Sequence, residues 1–170
     1  MTAEALSWVW NVPVLGSNHL EAHLFSPLLN HPKLHPPFIG LVVSGGHTDL
    51  VLVKDFGDYK ILGRTRDDSA GEAFDKVANI LNLSYPGGPA IDRLSHDGDP
   101  ESVPFSRPYL NGSWDFSFSG LKTAVLYKVK GMGSKITDYS QDLSFQKKAD
   151  ICASFQSAVV DVLIKKTFQA

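Results

Sequence analysis

The segment HPKLHPP, from His31 to Pro37, constrains the fold most, because three of its seven residues are prolines. Proline lacks a backbone N–H, and its ring clashes with the preceding helical turn, so a helix cannot continue through such a segment. We therefore predict a boundary between two lobes here, with residues 1–37 before it and residues 38–170 after it.

Two helices separated by a short strand are predicted before this boundary. The end of a helix is predicted at AEALSWVWN, and a short strand at VPVLG (residues 12–16). A second helix is predicted at SNHLEAHLFSPLL. Ser17 or Asn18 can cap the second helix, and Asn18 with Glu21 three residues later resembles a capping box. We expect this helix to carry both histidines of the segment.

After the boundary, strand patterns give way to helix patterns. FIGLVVSGGHTDLVLVKDF contains two apolar runs joined by a Ser-Gly-Gly turn, and YKILGRTRD can form a third strand. AGEAFDKVANILNL and the final ADICASFQSAVVDVLIKKTF have apolar residues at helical spacing. In the first of these helices the apolar stripe consists of Ala73, Phe74, Val77, Ile80 and Leu81. The order β-β-β-α predicts an α/β fold, and we expect it to be part of a larger protein because neither end has helix-closing signals.

Composition limits the class of protein more than it identifies a ligand. Hydrophobic residues make up 43% of the chain, and no run approaches the roughly 18 apolar residues that a membrane span needs. The net charge of −2 favours no particular partner, and Cys152 alone cannot form a disulfide within the chain. No secretory signal is visible, so a cytoplasmic protein is expected.

The stretch NHLEAH places His19 and His23 one helical turn apart, where both side chains can bind one metal ion. Two half-buried imidazoles on a shared helix face are the alternative. Glu21 points to the opposite side, and the order differs from H-E-x-x-H, so a zinc peptidase is disfavoured. No other histidine has a spacing that completes a three-ligand set.

The turn SGGHT has two possible roles. Gly45 and Gly46 after Ser44 leave backbone N–H groups unobstructed, so the turn can wrap a phosphate or carboxylate oxygen. An ordinary hairpin turn has the same residues. His47 can donate to an anion or close the turn.

Three further stretches also leave alternatives open. Asp75 lies in a helix whose Glu72 and Lys76 are spaced as an i,i+4 ion pair, which is typical of a solvated face. YPGGP, with Asp92 in the next helix, can bring backbone close to a sugar or base, or can be a simple turn. DFSFSGLKT has the pattern of a half-buried strand end followed by a helix.

Taken together, these motifs resemble the TsaD family of tRNA N6-adenosine threonylcarbamoyltransferases, formerly called O-sialoglycoprotein endopeptidases. The resemblance covers the whole chain, through NHLEAH, LVVSGGHT, DDSAGEAFDK, YPGGP, DFSFSGLKT and the AxxFQxAVVD helix in order. It implies an incomplete actin-like ATPase (ASKHA) fold. Residues 1–37 would be the end of the N-terminal lobe with a metal-binding helix, and residues 38–170 the start of the C-terminal lobe.

The resemblance also implies roles for individual residues. His19 and His23 match the two metal-binding histidines of the family. The segment that contacts the phosphate and acyl group of the substrate matches Val42, Val43, Ser44, Gly45 and Gly46. The positions that hold the ribose or adenine match Asp75, Gly88 and Asp92. None of them is identified as a catalytic nucleophile.

The activity implied is transfer of threonylcarbamoyl from threonylcarbamoyl-AMP to the N6 amine of the adenosine next to the tRNA anticodon. The family binds one Fe²⁺ or Zn²⁺ and an ATP-type nucleotide. Its bacterial members act with a TsaB-like paralogous subunit and a TsaE-like ATPase, and the archaeal and eukaryotic counterparts act in KEOPS. The residues of the motifs AGEAFDK and DFSFSGLKT favour the bacterial group.

Three family features have no counterpart in these residues: the opening phosphate loop, the aspartate that is the third metal ligand, and a later glycine-rich motif with its asparagine. This chain alone is therefore expected to be inactive. Two alternatives stay open. One is a metal-dependent glycoprotein endopeptidase, and the other is an inactive module that binds a nucleotide or a partner.

Overall fold

A computed structural model describes residues 2–131 and 143–170. The chain forms two compact units, Met1–His35 and Pro36–Ala170. The division falls in the proline-rich segment, two residues before the predicted position. Assignment of the units to the two lobes of an actin-like fold stays a prediction.

The first unit is helical. Helix α1 spans Thr2–Trp10, helix α2 spans His19–Phe25, and a 3₁₀ turn follows at Ser26–Leu29. The prediction of a strand at residues 12–16 was wrong, because residues 12–18 have no regular secondary structure. A strand needs a neighbour for its backbone hydrogen bonds, and the only sheet in the described residues consists of three strands from the second unit.

Helix α2 begins where the sequence predicts a cap. The backbone of Asn18 is extended, and its side-chain oxygen accepts a hydrogen bond of 3.0 Å from the N–H of Leu20. Asn18 is therefore the capping residue, rather than Ser17. The helix carries both His19 and His23, as expected, and ends before Pro27.

The second unit opens with an antiparallel sheet in the order β1-β2-β3. Strand β1 spans Phe38–Val43, β2 spans Thr48–Asp55 and β3 spans Asp58–Arg64. The pair Val43 and Thr48 closes the first turn, and Asp55 and Asp58 close the second. The next element is a helix, so the β-β-β-α prediction and the α/β class are confirmed.

Among the described residues of the second unit, four helices follow the sheet and enclose its core. They are α3 (Ala70–Ile80), α4 (Gly87–Ser95), α5 (Ser119–Lys130) and α6 (Phe145–Gln169). The predicted stripe of α3 is confirmed, since Ala73, Val77 and the following Leu81 are fully buried. In α6, Phe155 packs edge-to-face on Phe74 with 5.0 Å between ring centroids. Within the described residues, no helix is both long and apolar enough to cross a bilayer.

Candidate nucleotide and metal sites

The Ser44–His47 turn between β1 and β2 is closed by its own serine. The Ser44 N–H donates to the carbonyl of His47 (2.8 Å), and Ser44 Oγ accepts from the N–H groups of His47 (3.0 Å) and Gly46 (3.3 Å). Among the described residues, the Gly45 N–H has no acceptor. An anion can therefore bind the Gly45 N–H directly. To bind the N–H groups of Gly46 and His47, it would first have to displace the Ser44 hydroxyl.

The turn is held against the first residues of α3. Ser69 Oγ donates to the Gly45 carbonyl (2.8 Å), and the Gly71 N–H donates to the Ser44 carbonyl (3.2 Å). A Cβ on Gly71 would lie 2.5 Å from the Ser44 oxygen, so only glycine allows this approach. The positive end of the α3 dipole therefore lies at the turn and favours an anion there.

Asp75 links α3 to α4. Its Oδ1 accepts a hydrogen bond of 2.7 Å from the N–H of Gly87, the first residue of α4. The residue before the helix, Pro86, supplies no capping side chain, so Asp75 takes that role from another helix. Asp75 lies four residues after Gly71, which is about 6 Å along the helix axis.

Gly88 and Asp92 share one face of α4, since residues four apart lie on the same side of a helix. The space where Gly88 would carry a Cβ is open, with nothing within 4 Å. Asp92 Oδ1 accepts a hydrogen bond of 3.0 Å from Gln156 Nε2 of α6. Of the predicted ribose or adenine residues, Asp75 therefore lies on α3 and Gly88 and Asp92 lie on α4. Helix α3 connects them to the Ser44–His47 turn, called the glycine turn below.

The histidine pair lies in the first unit. The ring centroids of His19 and His23 are 6.0 Å apart, and the ring planes make an angle of 79°. With metal–nitrogen distances of about 2.1 Å, two imidazoles on one ion have centroids roughly 5–6 Å apart, and the observed 6.0 Å lies at the upper end of that range. Residues 2–131 and 143–170 hold no group of three or more His, Cys, Asp or Glu able to bind one ion.

A carboxylate pair between β3 and α3 was missed by the sequence analysis. Asp67 accepts hydrogen bonds from the N–H groups of Phe118 (2.8 Å) and Ser119 (3.2 Å) and from the hydroxyls of Ser117 (2.5 Å) and Ser119 (2.8 Å). Phe118 precedes α5 but cannot cap it, so Asp67 provides the cap. The sequence did contain a signal for this contact, since the helix that starts in DFSFSG has a phenylalanine at its capping position. Such a helix needs a capping side chain from elsewhere in the chain.

Asp68, the second carboxylate, lies between two lysines. Its oxygens are 2.7 Å from Lys76 Nζ and 2.9 Å from Lys122 Nζ, and its side chain is only 12% exposed. Lys76 also pairs with Glu72 at 2.8 Å, so the predicted i,i+4 pair is confirmed. Burial disfavours the charged form of Asp68, but both lysines outweigh it and keep the pKa of the carboxyl below its usual value.

Because of Asp67, we expect the free energy of unfolding to fall in acid. Burial opposes its ionisation, but the bonds from Ser117, Ser119 and Phe118 outweigh burial and lower the pKa of the carboxyl. The ionised group therefore contributes stability that is present above the unfolded pKa of about 3.9 and is lost as the pH falls through the folded value. We expect the free energy of unfolding of Asp67→Asn to decrease less below about pH 4 than that of the wild-type protein. Urea unfolding of both proteins from pH 7 to pH 2 measures this, and parallel curves would contradict it.

Comparison with known proteins identifies the family. A family model described as "TsaD: tRNA N6-adenosine threonylcarbamoyltransferase" matches residues 1–170. The chain belongs to the TsaD family. Proteins named tRNA N6-adenosine threonylcarbamoyltransferase match it from Endomicrobium trichonymphae (51% identity over 171 residues), Clostridioides difficile (50% over 169) and Chromobacterium violaceum (52% over 169).

These relatives are longer than the chain. The matches cover 99–100% of the chain but 47–48% of each of the three relatives, so the chain spans about half the length of the TsaD proteins it matches. Within that half, the glycine turn and the α4 residues predicted for the TsaD substrate are all in the second unit. The histidines predicted for the metal are in the first unit.

Proposed function

We propose that this chain contributes the metal-binding helix and most of the adenylate site of a tRNA N6-adenosine threonylcarbamoyltransferase. The whole protein would move threonylcarbamoyl from threonylcarbamoyl-AMP to the N6 amine of the adenosine next to the anticodon. One observation carries the proposal. The turn at Ser44 and the residues Asp75, Gly88 and Asp92 are joined through α3 and α4 by hydrogen bonds within one compact unit.

The proposed fold is the two-lobed actin-like (ASKHA) fold. Residues 1–37 would end the N-terminal lobe, and residues 38–170 would begin the C-terminal lobe. The antiparallel three-stranded sheet followed by α3 supports this, because the turn between the first two strands is the phosphate-binding loop of that fold. The remaining half of the family's length would supply the rest of both lobes.

The site residues have complementary roles toward an adenylate. The Gly45 N–H and the dipole of α3 favour the phosphate, while His47 at the end of the turn adds a donor. Val42 and Val43 form the strand end next to this turn, where Val43 is exposed and Val42 is buried. The acyl group would lie against them. Gly88 offers open space for the sugar, with the Asp92 carboxylate beside it.

Direct transfer fits these residues better than a covalent enzyme intermediate. The tRNA amine nitrogen would attack the carbamoyl carbon, the bond from that carbon to the phosphate oxygen would break, and AMP would leave with the electron pair while the amine loses a proton. Cys152 is unsuited as a nucleophile, because it is buried and its pKa is raised to about 12 by that burial.

His19 and His23 would hold Fe²⁺ or Zn²⁺ as two of its ligands. Such an ion supplies Lewis-acid chemistry, which stabilises negative charge on a carbonyl oxygen. The helix positions both imidazoles on one side, and its cap at Asn18 orients the first turn.

The partners and location are proposed from the family. They are tRNA as substrate, a TsaB-like subunit and a TsaE-like ATPase or the corresponding KEOPS proteins, and the cytoplasm. The glycoprotein endopeptidase alternative is not favoured, since the matched relatives are named transferases and the histidine pair lacks the H-E-x-x-H order. A module that binds AMP without transfer remains the competing proposal for this chain alone.

Calorimetric titration of the chain with AMP and with Zn²⁺ tests the proposal. We expect saturable AMP binding that Asp92→Ala weakens about tenfold, as the loss of a hydrogen bond to a charged group predicts. Asp55→Ala is the matched control, because Asp55 lies at the opposite end of β2 from the glycine turn. For Zn²⁺, His19→Ala and His23→Ala should reduce binding, whereas His31→Ala should not.

Transfer is then measured with threonylcarbamoyl-AMP and tRNA. Transfer by the chain together with the missing half of a family member, lost in His19→Ala, would support the transferase. If the chain binds AMP but no transfer is measured with any added half of a family member, the inactive nucleotide-binding module is favoured instead. Zn²⁺ binding that is equal in all three histidine variants would remove the proposed metal site.

A further inference from the structure

All four N–H groups in the first turn of α3 are hydrogen-bonded within the protein. Such groups have no partner inside their own helix, and in other proteins they often bind an anion directly. Here the donors and acceptors are Ala70 to Thr48 Oγ1 (2.9 Å), Gly71 to the Ser44 carbonyl (3.2 Å), Glu72 to Ser69 Oγ (3.1 Å) and Ala73 to the Ser69 carbonyl (2.9 Å). The helix can therefore act on an anion only through the groups that it holds.

The start of α3 holds two consecutive peptide groups of the glycine turn by their carbonyls. The Gly71 N–H binds the Ser44 carbonyl, and Ser69 Oγ donates to the Gly45 carbonyl at 2.8 Å. The Ser44 carbonyl shares its peptide group with the Gly45 N–H, and the Gly45 carbonyl shares the next one with the Gly46 N–H. In a trans peptide the C=O and N–H point in opposite directions. Both N–H groups of the turn are therefore directed away from α3.

Two successive N–H groups on one side of a turn make an anion-binding concavity. Among the described residues, the Gly45 N–H has no acceptor, and the Gly46 N–H donates only to Ser44 Oγ at a long 3.3 Å. A hydrogen bond to the carbonyl of a peptide group also polarises that group and strengthens its N–H as a donor. The two bonds from α3 thus direct and strengthen the donors on the open side of the turn.

The Ser69 hydroxyl supplies one of these two bonds from a buried position. The side chain is 1% exposed, and its single hydroxyl hydrogen is used in the bond to Gly45. Its oxygen meanwhile accepts from Glu72 and caps α3. Without the hydroxyl, the peptide between Gly45 and Gly46 would lose its bond to α3, and neither glycine has a side chain that limits rotation.

We propose that Ser69 is a positioning residue for the phosphate group of the adenylate. It acts through the peptide between Gly45 and Gly46, whose N–H it directs towards the phosphate. The inference rests on the proposed function, which places that phosphate at the glycine turn. It assigns two tasks to one hydroxyl: capping α3, and orienting a peptide group 24 positions earlier in the sequence.

Calorimetric titration with AMP and with adenosine tests this role, because only AMP carries the phosphate. Wild-type protein is expected to bind AMP more tightly than adenosine. Ser69→Ala should lower the affinity for AMP about threefold to tenfold, the range for one hydrogen bond, and leave the affinity for adenosine unchanged. A capping role alone would change the affinities for both ligands alike.

Ser69→Gly separates orientation of the turn from capping of the helix. Glycine caps a helix nearly as well as serine, so this variant should keep most of the stability that Ser69→Ala loses. Both variants lack the hydroxyl, so both should show the same loss of AMP affinity. Ser144→Ala is the matched control, because Ser144 caps α6 by accepting from the Lys147 N–H at 3.3 Å. It should bind both ligands as the wild-type protein does.

The backbone amide signals of Gly45 and Gly46 provide a readout that needs no nucleotide. In a nuclear magnetic resonance titration with inorganic phosphate, both signals should shift in the wild-type protein. The Gly46 signal should shift less in Ser69→Ala, because its N–H is no longer directed to the open side of the turn.

Failure of this inference and failure of the proposed function are distinguishable. If wild-type protein prefers AMP and Ser69→Ala keeps that preference, the role of Ser69 is refuted and the nucleotide site stands. If wild-type protein binds no AMP but Ser69→Ala reduces the response of Gly46 to phosphate, the adenylate site is refuted and the positioning role stands. If neither AMP nor phosphate acts on the wild-type protein, both are refuted. An equal loss of AMP affinity in Ser144→Ala would also refute a specific role for Ser69.

Discussion

Replacing Gly87 by alanine is expected to lower the free energy of unfolding by about 2–3 kcal/mol, which is at the upper end of the usual cost of overpacking. A Cβ at this position would lie 2.6 Å from the Cα of Asp75 and 2.6 Å from the carbonyl oxygen of Phe74. Both are backbone atoms and cannot move aside cheaply. The first turn of α4 would therefore shift away from α3, breaking the 2.7 Å bond between the Gly87 N–H and Asp75. Chemical denaturation and AMP titration measure the two effects.

Gly88→Ala is the matched control for this change. The substitution is chemically identical and one residue away, but a Cβ at Gly88 meets nothing within 4 Å. Alanine has the higher helix propensity, so stability should stay equal or rise by up to about 0.5–1 kcal/mol. AMP binding should nevertheless fall, because the methyl group would occupy the space proposed for the sugar. Equal stability losses in the two variants would contradict the packing argument, and unchanged AMP affinity in Gly88→Ala would contradict the position of the sugar.

Replacing Asp68 by alanine is expected to cost about 2–3 kcal/mol. Removing one partner of a buried pair usually costs about 3–5 kcal/mol, and the partial exposure of Lys76 reduces this figure. The side chain of Asp68 is 12% exposed, and those of Lys76 and Lys122 are 42% and 26% exposed. Without the carboxylate, Lys122 would lose this anionic partner, and Lys76 would keep only its pair with the more exposed Glu72. Urea unfolding at pH 7 measures the loss, which added salt should restore only in part.

Glu72→Ala is the matched control, because it removes the other, more exposed carboxylate that pairs with Lys76. Glu72 pairs with Lys76 at 2.8 Å, as closely as Asp68 does, but its side chain is 44% exposed. Exposed ion pairs contribute up to about 1 kcal/mol, and helical i,i+4 pairs about 0.3–0.5 kcal/mol. The effect of Glu72→Ala should therefore be several times smaller than that of Asp68→Ala. Similar losses in both variants would show that burial of the carboxylate does not decide its contribution.

Patterns that depend on neighbouring residues were predicted correctly. The β-β-β-α order, the stripe of α3 and the cap of α2 at Asn18 all follow from interactions within a few residues. The strand predicted at residues 12–16 failed because a strand depends on a neighbour elsewhere in the chain. The apolar run VPVLG matches the composition of a strand, but no strand of the described residues pairs with it.

The sequence alone determined the family, the helix that carries His19 and His23, and the residue types of the turn at Ser44. Tertiary structure alone decided which polar groups meet. Asp75 contacts Gly87 across 12 positions, Asp67 caps α5 across 51, and Gln156 reaches Asp92 across 64. No spacing rule predicts such pairs, because each depends on how α3, α4, α5 and α6 pack around a shared apolar core. A hydrogen bond depends on positions within a few tenths of an ångström, whereas an apolar stripe requires only the correct face of a helix.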